Sequence, residues 1–323
     1  MIVSKEASME TSLIGEYIKK RREDLGLTQE QLSEGICTAA TLSRLENNLQ
    51  TPTRDRISAL LQRLGLPGDR YFALLSKNEE EIASLRKEIC ADEICFRRAA
   101  KEQRPKIRER AMEKLNALTE LAEPDDLVIQ QFILKTKAAL GGPEGPYDFE
   151  VRLDMLMKAI RLTVPRFDLE DISLFRYSMA ETTLINQIAL CYSNAGQKRK
   201  AIDIYRQLLK YIEKNDQELA KFAGHYCLVA HNLAICLGTE KNYKEAIEIS
   251  EKGSQVCVEY GDYQFLPGFL AIMAECLYFT GEKEESAALY FQAYYTYRAF
   301  KDETNCAIIK QEIKKYLNLE PSY

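Results

Sequence analysis

LTQEQLSEGICTAATLSRLENNLQTP, residues Leu27–Pro52, decides how the first part of the chain folds. Thr28-Gln29-Glu30-Gln31 reads as a capping box: the Thr28 hydroxyl accepts from the backbone of the new helix while Gln31 reaches back. That second helix is short and carries Leu32 and Ile36 inward. Thr38 offers another cap and opens a helix whose inward residues are Leu42 and Leu45. Outward toward the N terminus, Ile14, Ile18 and Leu25 sit at helical spacing, and Gly26 stops that helix where a left-handed residue is wanted. Outward in the other direction, Pro52 and Thr53 end a loop and start a fourth helix. Its core residues are Ile57, Leu60, Leu61 and Leu64, and Gly65 closes it. Two short helices joined by a tight turn and braced by neighbours make a helix-turn-helix.

Leu27–Pro52 resembles the Cro/C1-repressor, or XRE, class of that motif. The resemblance rests on Leu27-Thr28-Gln29-Glu30-Gln31-Leu32, Leu42-Ser43-Arg44-Leu45-Glu46-Asn47 and the closing Thr51-Pro52. Asn48 stands where the class usually has glycine, and asparagine tolerates the left-handed turn. The resemblance implies a DNA-binding head. Its recognition helix, capped by Thr38, exposes Ala39, Ala40, Thr41 and Arg44, Gln29 and Asn47 resemble the class's phosphate contacts, and Thr28 and Thr38 are among the DNA-binding residues. Arg44 is the candidate for base reading, because its fork fits guanine O6 and N7. The alternative is a solvated arginine paired with Glu46 or Glu30. Ala39 and Ala40 offer only methyl contacts, so duplex shape carries part of any specificity.

Composition sets the frame around this head. The 323 residues are 46% apolar and 29% charged, with only 15 Gly and 9 Pro, which favours long helices over a turn-rich β fold. No apolar run approaches the roughly 18 residues of a membrane span, and Met1–Glu10 lacks the apolar core of a signal peptide. The nine cysteines contain no CxxC pair, so a disulfide framework or zinc knuckle is not expected and a reducing cytoplasm is. Net charge is −5, yet residues 1–76 balance ten basic against ten acidic side chains and hold the dense cluster Lys19-Lys20-Arg21-Arg22. Alone, that cluster is weak evidence for nucleic-acid binding.

Beyond the head, residues 70–104 read as a charged helical connector. Ile82, Leu85 and Ile89 mark one apolar face, and Ile107, Ala111, Leu115 and Leu118 another, with Pro105 in a first turn between them. A lever and the plain start of the next domain both fit this text. Past residue 175 the sequence repeats itself. Ala189, Ala234 and Ala274 each stand two residues before Cys191, Cys236 and Cys276. Ala201, Ala246 and Ser286 follow, then Tyr205, Ser250 and Tyr290, with Gly196, Lys241 and Gly281 at the turns. Small residues at recurring positions let paired helices approach closely. The pattern resembles a degenerate tetratricopeptide repeat. Leu127–Leu140 with Phe149–Leu162 forms an earlier pair across the loop GGPEGPYD, residues 79–122 another, and a helix near Thr304–Leu317 caps the stack. About five pairs are expected. The repeated cysteines read as buried small hydrophobes rather than redox sensors.

The fold expected is therefore all-α: a helix-turn-helix domain over residues 1–69, the connector, and a TPR-like α-solenoid over 105–323. First helices of stacked pairs line a groove. By analogy with the repeat family its positions are Asn186, Gln187 and Asn194, then His231 and Asn232, then Glu275 and Tyr278. Amide side chains both donate to and accept from an extended peptide backbone, which suits a clamp. Asn186 and Asn232 equally suit bonds to neighbouring helix ends. His225 and His231 are six residues apart, on different helix faces, so no metal site is expected from them. No nucleophile–base pair or phosphate-cradling loop occurs, so neither an enzyme nor a cofactor is expected.

End to end, the arrangement resembles the Rgg/PlcR-type peptide-sensing transcription regulators of Gram-positive bacteria, with Glu34-Gly35-Ile36-Cys37 and Asn232-Leu233-Ala234 among the phrases that carry the likeness. That resemblance implies a cytoplasmic homodimer that binds a double-stranded operator and responds to a short peptide. Two rivals keep other partners: a phage-like or antitoxin-like repressor controlled by a folded protein, and a TPR scaffold that binds no DNA.

Overall fold

The computed structural model describes residues 3–50, 52–66, 77–142, 145–215 and 219–321, of which 3–13, 54, 77–80, 98, 215 and 219–222 are described by backbone alone. Thr51, Pro143, Glu144 and the expected boundary at 69/70 lie outside the described residues. Among the described residues the secondary structure is helical, with no strand, as the scarcity of glycine and proline and the helical periodicity require. No helix among them is long and apolar enough to cross a membrane.

The head comprises α1 (Val3–Asp24), α2 (Gln29–Ser33), α3 (Ala39–Glu46) and α4 (Arg54–Arg63). Thr28 and Gln31 form the capping box that starts α2, and the Thr38 hydroxyl accepts from the Thr41 backbone to start α3. Gly26 and Asn48 take positive φ of 65° and 58°, ending their helices as their residue types allow. Ile14, Ile18, Leu32, Ile36, Leu42, Leu45, Ile57, Leu60, Leu61 and Leu64 form one core. Ile36 reaches that core from the turn, not from α2, because Gly35 adopts φ 73° and breaks the helix after Ser33.

Compactness divides the chain into residues 1–188 and 189–323. In the first unit, α5 (Lys77–Arg98) and α6 (Arg104–Leu121) form a hairpin with Pro105 in the first turn of α6. Ile89, Ala111, Leu115 and Leu118 pack with Ile129, Ile133 and Leu140 of α7 (Leu127–Leu140), so the hairpin shares the core of the next helix pair. The other helix of that pair is α8 (Phe149–Thr163). Side chains of Asp126 and Asp148 cap α7 and α8.

The head sits against these helices. Arg63 donates to the carbonyls of Leu32 and Glu34 in the helix-turn-helix and to Thr163 at the end of α8, and pairs with Glu181 at 2.7 Å. Glu181 also accepts from Thr163 and from the Ser178 backbone, so no oxygen of this buried carboxylate is left without a donor.

α9 (Met179–Asn194) runs through the division between the units. The second unit continues with α10 (Lys198–Asn215), α11 (Leu219–Thr239), α12 (Tyr243–Tyr260), α13 (Leu266–Thr280), α14 (Lys283–Ala299) and α15 (Glu303–Leu317). Ala189, Ala234, Ala274, Ala201, Ala246 and Ser286 are all fully buried, and so are Tyr205, Ser250 and Tyr290. Gly196, Lys241 and Gly281 take φ of 79°, 63° and 102° at the turns the repeat predicts. Cys191, Cys236 and Cys276 are buried, in line with their reading as core side chains. With α5/α6 and α7/α8 the described helices make five pairs, and α15 closes the series.

Candidate nucleic-acid interface and ligand-facing helices

In the head, α3 owes its position to one carboxylate. Glu46, in its last turn, is buried and accepts from Arg22 Nε at 2.6 Å, Arg22 Nη2 at 2.9 Å and Gln29 Nε2 at 2.7 Å. Arg22 Nη1 donates in addition to the Leu27 carbonyl. The end of α1, the start of α2 and the end of α3 therefore meet at a bidentate, charge-assisted pair. The four-residue basic cluster divides accordingly. Lys19 and Lys20 are exposed, Arg21 donates to the Leu64 carbonyl at 3.3 Å, and Arg22 is committed to Glu46.

The residues expected to face a duplex fall into two groups. Thr28, Thr38, Ala40, Arg44 and Asn47 are exposed, while Gln29, Ala39 and Thr41 are half-buried. Arg44 makes no ion pair among the described residues; the Glu46 carboxylate offered as its alternative partner is taken by Arg22 and Gln29. Asn47 Nδ2 donates to the Ser43 carbonyl of its own helix at 2.8 Å.

In the repeat helices, position relative to the recurring alanine decides what a side chain meets. Three residues before it stand Asn186 and His231. Asn186 is buried, and His231 lies between the rings of Phe265 and Phe269, both at 5.6 Å. Burial lowers the His231 pKa to about 4, and His225 likewise, so both rings are neutral near pH 7. Two residues before the alanine stand Gln187 and Asn232, half-buried; the Gln187 Oε1 atom is buried with no partner among the described residues. One residue after it stand Leu190 and Ile235, 38% and 42% exposed, and Glu275. Five after it stand Asn194, Thr239 and Phe279, all exposed. Offsets of three and four residues place the last three sets on one face of each first helix.

Leu190, Ile235 and Phe279 were therefore missed by a reading that looked for amides. The signal that finds them is the repeat register itself, since exposed apolar residues at one recurring offset need a reason that isolated ones do not.

Comparison with known proteins follows the same division. Residues 18–70 match the family model of a helix-turn-helix, and residues 154–318, just over half of the chain, match the model described as the RNPP family C-terminal domain. No curated protein matches. Among solved structures, PlcR of Bacillus thuringiensis in complex with the peptide PapR7 and DNA is similar, with 21% identity and a TM-score of 0.58 over 92% of this chain and 99% of that one. The apo form of PlcR gives 19% and 0.57, over 94% and 99%. The apo form of the competence regulator ComR from Streptococcus vestibularis gives 16% and 0.51, over 95% and 98%. At these identities the likeness is one of fold.

Proposed function

Because this chain belongs to the RNPP family, we propose that it is a DNA-binding transcription regulator whose repeat helices sense a short peptide. The observation that carries the reading is the coexistence, on one chain, of a helix-turn-helix with exposed Arg44 and first helices α9 and α11 that set an amide, Gln187 or Asn232, three residues before an exposed apolar side chain, Leu190 or Ile235. Arg44 reads a base, because it is exposed and makes no ion pair among the described residues. Ala39, Ala40 and Thr41 present methyl groups beside it. Thr28, Thr38 and Asn47 meet phosphates at helix ends, while Gln29 acts through Glu46. Within residues 189–323 the peptide contacts are Asn194 and Asn232 for the backbone and Leu190, Ile235, Glu275, Tyr278 and Phe279 for side chains. The protein acts as a cytoplasmic homodimer, and no catalytic step is part of this reading.

The test uses the full-length protein on duplex fragments from upstream of its own coding sequence, with and without synthetic peptides encoded by neighbouring short reading frames. The expected footprint covers two half-sites spaced about ten base pairs, or a multiple, apart. Affinity falls steeply with salt and changes when the cognate peptide is added. Arg44→Ala relaxes one base position at a cost of about 1–3 kcal/mol. An unchanged footprint removes Arg44 from base reading, and salt-insensitive binding removes DNA altogether.

A further inference from the structure

The outward face of α13 departs from that of the earlier first helices. Where they carry Leu190 and Ile235, it carries Glu275, a charge in an otherwise apolar row. Tyr316 of α15 donates its hydroxyl to Glu275 Oε1 at 2.8 Å. One helical turn before Tyr316 stands Glu312, whose carboxyl is pushed up to about 7 by burial and by the nearby Glu275. Aromatic rings surround the two carboxylates: Tyr316 lies 5.0 Å from Tyr278 and 5.6 Å from Phe279, and Tyr243 stacks on Phe279 at 5.4 Å.

A third polar group belongs to the same cluster. Tyr290 of α14 is fully buried and stacks 6.3 Å from Tyr316. Its hydroxyl has no partner among the described residues, and burial together with Glu312 and Glu275 raises its pKa. Of the cations nearby, Lys315 attracts both carboxylates and only partly offsets the rise at Glu312. Lys315 donates to the Tyr316 hydroxyl at 2.9 Å and lies 4.3 Å from that ring, and Lys283 is 5.7 Å from Tyr278.

Two half-buried carboxylates on facing helices repel beyond what Lys315 offsets, which favours a proton on one of them. A cation between them removes that conflict and gains the faces of adjacent aromatic rings. We propose that Glu275, Glu312 and the rings of Tyr278, Phe279 and Tyr316 form a subsite for a positively charged group of the ligand, either an N-terminal ammonium or an Arg or Lys side chain. It rests on the peptide reading above and narrows it: the ligand is apolar where it meets Leu190 and Ile235 and cationic where it meets α13 and α15. Tyr290 supplies an unused hydroxyl at the floor of that subsite.

The experiment incubates the full-length protein with a randomised library of short synthetic peptides, once with free and once with acetylated N termini, and identifies the retained peptides by mass spectrometry. Retained peptides are expected to be enriched in Arg or Lys, or to favour free over acetylated termini, and the two libraries tell these sources apart. Joint Glu275→Gln and Glu312→Gln substitution is expected to cut that enrichment about tenfold, roughly one charged contact, while apolar selection persists. Glu275→Lys is expected to turn the selection toward Asp and Glu, and duplex binding by both variants reports that they fold. Retention without charge preference, or a preference that survives both substitutions, overturns the subsite and leaves the peptide reading standing. Retention of no peptide by any form overturns both.

Discussion

Glu46 shows what a single buried carboxylate does for a small domain. Its side chain has no exposed surface, and Arg22 opposite is only 10% exposed. Such a pair gains little over a well-packed apolar substitute, because taking two charges out of water is costly. Breaking it is another matter: Glu46→Ala leaves the buried Arg22 guanidinium only the exposed Glu23 carboxylate at 3.5 Å, a loss toward the lower end of about 3–5 kcal/mol. A head of this size has little more stability than that. The expected outcome is a head that melts far earlier and no longer binds duplex DNA. Arg22→Met with Glu46→Leu is expected to recover most of the melting temperature. Differential scanning calorimetry checks both, and a Glu46→Ala melt like that of the parent would show that the bonds from Arg22 and Gln29 are not what holds α3. None of this was legible locally. Arg22 reads as part of a basic cluster and Gln29 as a phosphate contact because their partner lies 24 and 17 positions away, and spacing within one helix says nothing about it. Arg44, by contrast, is exposed as the motif implies, since its exposure depends only on the register of α3.

At the scale of elements, helix starts were the readable part. Thr28 and Thr38 cap the helices that follow through their own side chains, as expected, an interaction confined to a few residues, and Asp126 and Asp148, not named as caps from the sequence, do the same. The recurring alanines were readable for the same reason: close helix approach restricts residue size at fixed intervals. The end of α2 was not, because Ile36 keeps an inward-facing position that helical spacing explains equally well. What stops the helix is Gly35, with φ 73° and a backbone pressed against the Thr163 carbonyl, which a Cβ would overlap. Gly26 also has a positive φ, 65°, but a Cβ there meets nothing within 4 Å. The pair separates strain from collision. Gly26→Ala is expected to cost about 1 kcal/mol in backbone strain. Gly35→Ala adds displacement of α8 to a similar strain and is expected to lose at least about 3 kcal/mol, the upper end of a single strained position. Chemical denaturation of the two variants side by side checks the difference, and equal losses would mean that the Gly35–Thr163 contact contributes nothing. The exposed residues Leu190 and Ile235 escaped notice for a third reason. An exposed leucine in one helix means little, and only its recurrence on the next helix gives it meaning.

For the molecule as a whole, three groups shifted by desolvation set an opposition that acid titration will expose. His225 and His231 each have a folded pKa near 4 against 6.5 unfolded, burial being the cause. A depressed pKa means that the folded state binds the proton less readily than the unfolded chain. Each histidine therefore contributes its full stability above pH 6.5 and loses it as pH falls toward 4, by about 3 kcal/mol at most. Glu312 acts in the opposite sense. Its folded carboxyl titrates near 7 against 4.5 unfolded, so its contribution is full below 4.5 and is lost as pH rises through 7. Three carboxylates with lowered pKa stay out of this window, and Glu30 is one, held low by hydrogen bonds from its own backbone and from Thr28. For Asp92, burial is outweighed by hydrogen bonds from Arg110 and Lys114, and Glu245 is held by its bond to Arg206, so both act below pH 4.5. Between pH 7 and 4.5 two losses thus compete with one gain, and the parent protein is expected to lose stability on acidification. Replacing both histidines, His225→Gln with His231→Gln, leaves Glu312 alone, and the slope is expected to reverse: the thermal midpoint rises as pH falls from 7 toward 4.5. Adding Glu312→Gln should then flatten the profile. Thermal midpoints measured at constant ionic strength decide the matter. A falling midpoint that persists without the histidines would move the origin of acid sensitivity from these buried rings to the carboxylates paired with Arg and Lys.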